Sequence, residues 1–109
     1  MPLGMDFYEN PKRGGIKQWP NQFAVQAWPE WLQYDPMRLA PFLTAPLLVV
    51  HSEDAAVPQG ARAFLGAAAG TTTALWTAGT QLDFYDQEPQ VSVAVQAAAE
   101  HFRAAFTAE

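Results

Sequence analysis

The chain has 109 residues, half of them apolar and 16% charged, with a net charge of −5. That balance excludes wholesale disorder, and only six Lys and Arg argue against nucleic-acid binding or an anionic membrane surface. With no Cys, disulfides, thiolate nucleophiles and Cys-ligated metals are excluded.

Residues 1–20 read as an irregular N-terminal segment, punctuated by Pro11, Gly14, Gly15 and Pro20. Met1 to Asp6 lacks a basic and then apolar leader, so no signal peptide is expected, and the expected location is cytoplasmic. Residues 21–109 read as one partial domain. Asn21 is placed to cap a helix over about Gln22 to Trp28, which Pro29 interrupts or kinks. Asp35-Pro36 predicts a second short helix, carrying Met37, Leu39, Ala40 and Leu43.

Leu47 to His51 is a continuous apolar run containing Val49 and Val50. Without alternation, it reads as a strand buried on both faces, as in a parallel sheet. Pro58 opens a helix to about Ala69 with Ala61, Phe64, Leu65 and Ala68 on one face, and Gly70 ends it. Thr72 to Thr77 reads as a second strand. The last helix runs from Gln90 to about Thr107, with Val91, Val95, Ala98, Phe102 and Ala105 as its stripe. Strand–helix–strand alternation predicts an α/β fold with a right-handed crossover. Two strands are few for such a sheet, and their edges call for further strands, from upstream sequence or from another copy.

Ligands in open α/β sheets bind at the carboxyl ends of the strands. The first strand end carries Ser52, Glu53 and Asp54; the second carries Thr80, Gln81 and Asp83. Parallel neighbours set these loops side by side, the geometry that lets a carboxylate orient a base. The plainer reading makes Asp54 a helix cap. His51, three residues before Asp54, ends the first strand and reaches toward the same cleft. Trp19, Trp28, Trp31 and Tyr34 either line an apolar pocket or pack the early helices.

The run Asp54-Ala55-Ala56-Val57-Pro58 resembles the D-x-x-V/I-P turn that carries the acid in many α/β-hydrolases. Gly79 through Asp86 is similar to the G-x-x-H-x-D-x-Y-D loop of the dienelactone-hydrolase-like and acyl-esterase branches. Tyr8 to Gly14, and Phe23 to Pro36, resemble the segment those proteins place before the acid strand. The resemblance covers the chain from about Asp6. It implies the C-terminal βαβα part of an α/β-hydrolase parallel sheet, preceded by short helices, acting on a small acyl or ester substrate.

On that resemblance Asp54 falls at the triad-acid position and Gln81 at the triad-histidine position. Glutamine cannot shuttle a proton near neutral pH. No G-x-S-x-G elbow occurs, and Ser52 and Ser92 are the only serines. His51 is the remaining catalytic candidate. No cofactor is called for, and two carboxylates alone make no metal site. Three readings follow: an incompetent hydrolase portion, a non-catalytic remnant that binds a small molecule or dimerises through its strand edge, and an active hydrolase using His51 or a partner chain.

Overall fold

The computed structural model describes residues 6–20 and 22–107, so Met1 to Met5 and the expected cap Asn21 lie outside the described residues. The chain divides into two compact units, Met1–Pro36 and Met37–Glu109. The expected boundary at residues 20 and 21 falls inside the first unit.

The first unit is organised by rings. Helix α1 (Asp6–Glu9) is a single turn. Arg13 pairs with Asp6 at 3.2 Å and lies over the Phe7 ring at 5.6 Å. Tyr8 packs on Trp19 at 5.2 Å between centroids. Instead of the expected helix from Gln22, a 3-10 turn spans Val25–Ala27, and helix α2 follows at Trp28–Gln33. Pro29 sits in the first turn of α2 and opens it rather than breaking it, because a first-turn residue has no intrahelical N–H bond to lose.

A 3-10 stretch spans Pro36–Phe42, all but its first residue in the second unit, where an ordinary short helix was predicted. Strand β1 (Leu47–His51), helix α3 (Pro58–Ala67), strand β2 (Thr72–Trp76), the single-turn helix α4 (Asp83–Asp86) and helix α5 (Gln90–Thr107) follow. The unit therefore mixes helix and strand around a two-stranded parallel sheet, with Leu47 opposite Thr72 and His51 opposite Trp76. Arg62 of α3 lies over Trp76, whereas Ala94 of α5 shares a cavity with Val50. Both helices therefore pack against the sheet. Gly70 closes the crossover: its N–H donates to the Leu43 carbonyl at 2.8 Å. A Cβ there would lie 2.5 Å from the Thr44 carbonyl oxygen, so only glycine admits this approach.

The expected two-sided burial of β1 is not realised. Every residue of β1 is only half-buried, and Thr72 to Leu75 of β2 are exposed. Among the described residues only Ala40 and Ser52 are fully buried. A two-stranded sheet has no flanking strands, so an apolar run cannot be enclosed on sequence alone. The edge is open as well. Leu47 N–H donates to the Thr71 carbonyl and Thr77 N–H to the His51 carbonyl. Backbone groups alternate along a strand, so Thr72, Ala74 and Trp76 turn theirs away from β1.

Helix α3 buries its predicted face: Ala61, Phe64, Leu65 and Ala68 are all half-buried. Helix α5 does not. Its covered face carries Gln90, Val91, Ala94, Ala97, Ala98 and His101, while Val95 and Phe102 remain 63% and 57% exposed. Small alanines let α5 approach the rest of the unit closely, and Val95 and Phe102 are turned outward while Val91 and Val93 stay half-buried. Among the described residues, no helix is long and apolar enough to cross a membrane.

Candidate functional site

Beyond the Thr77–His51 backbone bond, side chains tie the C-terminal ends of β1 and β2 together. Ser52, fully buried, donates its hydroxyl to the Gly79 carbonyl. The Ala56 N–H reaches Gln81 Oε1 at 3.4 Å. His51 and Trp76, partners in register, bring their rings to 5.1 Å. Gly79 makes the second loop possible: its φ of +128° is strained for any residue with a Cβ, and a Cβ there would meet Gln90 at 2.8 Å.

Around this junction lies an open cleft of about 340 Å³, lined by Val50, His51, Ala55, Gln81, Phe84 and Ala94. That is near the lower end for a small-molecule site. The lining is apolar except for His51 and Gln81. His51 Nδ1 lies 2.8 Å from the Ser52 carbonyl, which only accepts, so Nδ1 carries the hydrogen. In the neutral ring Nε2 then keeps its lone pair for an incoming donor. Gln81 uses its oxygen on the Ala56 amide, and its Nε2 approaches the Tyr85 hydroxyl at 3.5 Å.

Asp54 stands apart. It is exposed, does not line the cleft, and does not cap α3. The cap position belongs to Val57, which adopts a left-handed backbone with φ 54° and makes no side-chain cap bond. A β-branched residue in that region is strained. The residue before a proline is kept from the right-handed region, and here the chain turns through Val57 to start α3 at Pro58. The acidic turn therefore presents Ala55 and the Ala56 amide to the cleft, with Asp54 facing solvent beside it. Of the three sequence candidates, the structure brings His51 and Gln81 to one cleft and places Asp54 outside it.

Glu53 does not line the cleft. Arg62 pairs with both its oxygens, one at 3.1 Å, and stacks 3.8 Å over the Trp76 ring centre. The Arg62 hydrogen bond holds the Glu53 carboxyl below its ordinary value of 4.5 and raises the Arg62 guanidinium above its own. This Glu53–Arg62–Trp76 stack escaped sequence reasoning, although Arg62 stands one turn into a helix that must cover the sheet. Asp83 accepts from both the amide and the hydroxyl of Thr80, at 2.7 and 2.8 Å. This bond shapes the Gln81 loop and starts α4. His101 packs edge-on to Phe102 and takes no part in the cleft.

Neither serine is presented to this cleft as a nucleophile. Ser52 spends its hydroxyl on Gly79, and Ser92 is exposed on α5. Among the described residues no group of three His, Asp or Glu gathers as a metal site. The chain matches no known family, no curated protein and no solved structure.

Proposed function

We propose that the second unit corresponds to the last two strand–loop units of an α/β-hydrolase-type sheet, of the ester or acyl-hydrolase kind, and that this chain alone does not catalyse. The observation that carries the reading is the Ala56–Gln81 contact: the acid-bearing turn and the loop at the histidine position meet at the ends of two parallel neighbouring strands. The run Asp54 to Pro58 and the run Gly79 to Asp86 supply the resemblance. The chemistry of such a site needs a nucleophile, a proton carrier and oxyanion donors. Gln81 offers no proton carrier, and among the described residues no hydroxyl is hydrogen-bonded to His51 Nε2.

Esterase assay with p-nitrophenyl acetate tests the reading. Wild type, Asp54→Ala and His51→Ala should share one buffer-level rate, and Gln81→His should not raise it. A wild-type rate well above buffer that falls in Asp54→Ala or His51→Ala would establish an active hydrolase instead.

A second reading is favoured by the cleft itself. Its apolar lining, with His51 Nε2 as acceptor and the Gln81 amide as donor, suits a small neutral molecule bearing a hydroxyl or carbonyl. The open edge of β2 further favours completion of the sheet by a second copy or by other strands. Sedimentation over a hundred-fold concentration range would sink the second-copy version if the protein stays monomeric throughout.

A further inference from the structure

We infer that the first unit holds a site for a small quaternary-ammonium molecule, independent of the cleft at the strand ends. Glu30, Trp31 and Tyr34 line a cleft of about 510 Å³. Trp31 and Tyr34 are three residues apart, and Glu30 and Tyr34 four, so the three side chains leave α2 and its end on one face. Trp31 is 66% and Tyr34 77% exposed, so both rings are open to a ligand.

Trp31 is braced from behind. Phe23 meets it edge-on at 5.3 Å and 73°, and Trp28 at 6.5 Å and 76°. Phe23 and Trp28 also touch each other at 5.1 Å. Three mutually tilted rings fix the indole without covering the side that borders the cleft. Tyr34 joins none of these ring contacts, so its ring and the indole flank an open space rather than stacking.

The charge pattern selects the ligand. Aromatic faces are electron-rich and attract cations, Trp most strongly. Glu30 adds a full negative charge, and among the described residues no cation or hydrogen-bond donor engages it. An anionic or carboxylate ligand would be repelled there. A primary ammonium keeps its N–H groups hydrated at so open a site and offers the rings little apolar surface. A trimethylammonium group has no N–H to satisfy, and its methyl surface matches the ring faces while its charge answers Glu30.

The test is titration with choline, followed by the NMR shift of the Trp31 indole N–H and the Tyr34 ring. The neutral isostere 3,3-dimethylbutan-1-ol serves as the competing probe. Choline should bind saturably and at least about ten-fold more tightly than the isostere, since cation attraction is all that separates them. Glu30→Gln should weaken choline about five-fold with an unchanged circular-dichroism spectrum. Trp31→Leu, which keeps apolar bulk but removes the ring face, should abolish binding. His51→Ala should leave it unchanged. Equal binding of choline and isostere, no effect of Glu30→Gln, or no saturable binding at all would each overturn the site. None of these outcomes bears on the esterase assay.

Discussion

The two units are held together by different physics. In Met37–Glu109, hydrogen bonds set position: strand register, the Gly70–Leu43 bond and the Ser52–Gly79 bond each name one partner. In Met1–Pro36, rings set position: Phe7 with Tyr8, Tyr8 with Trp19, and Phe23 with Trp28 and Trp31. A hydrogen bond misplaced by an ångström is lost, whereas a ring contact tolerates a range of angles and distances. The second unit is thus specific at a few atoms and the first adaptable over many.

Breaking one contact in each unit should expose that contrast. The largest effect is expected from Gly70→Ala, whose Cβ has backbone at 2.5 Å and nowhere to turn. It should cost about 3 kcal/mol in urea unfolding and remove amide-exchange protection from β1 and β2. Ring-shifted NMR signals of Phe23, Trp28 and Trp31 should persist. Loss of those signals together with the sheet would show that the units do not unfold separately.

Ser52→Ala should come next. It leaves the Gly79 carbonyl without its buried donor and should cost about 2 kcal/mol by urea midpoint. A third comparison is Phe23→Ala, which removes the brace behind Trp31. About 1 kcal/mol is expected, with a red-shifted tryptophan emission as the clearer readout. A cost above that of Ser52→Ala would invert the contrast.

The smallest effect belongs to Glu53. Its folded carboxyl is held below the ordinary value of 4.5, chiefly by the Arg62 hydrogen bond. Such a group contributes stability above its unfolded value and loses it as pH falls through the folded one. Wild type should therefore exceed Glu53→Gln slightly at pH 6, and the two should converge as pH drops well below 4.5. The pair is exposed and salt-screened, so the gap should shrink in high salt. A gap that widened on acidification would contradict the assigned direction.

Much of the second unit was legible because single residues announce it. Val49 and Val50 mark β1, Pro58 starts α3, and a long alanine-rich period marks α5. The turn α4 was not, since its four residues are set by the Thr80–Asp83 bond and carry no apolar period. The outward face of α5 was misjudged because hydrophobicity favours Val95 and Phe102, while close approach favours Ala94 and Ala97. Pro29 was read as interrupting or kinking a helix, whereas proline's position within a helix, not its presence, decides the outcome. At the site, the meeting of the two loops followed from parallel strands. The orientation of Asp54 did not, because it depends on the left-handed backbone of Val57, which no β-branched residue advertises.

The Ser52–Gly79 bond also limits how the cleft at the strand ends can respond to a visitor. Its two walls are riveted below the floor, so they cannot part without exposing an orphaned carbonyl. With Gln81 also tied to the Ala56 amide, the two loops meet a visitor as one stapled frame, a gauge of fixed bore rather than a jaw.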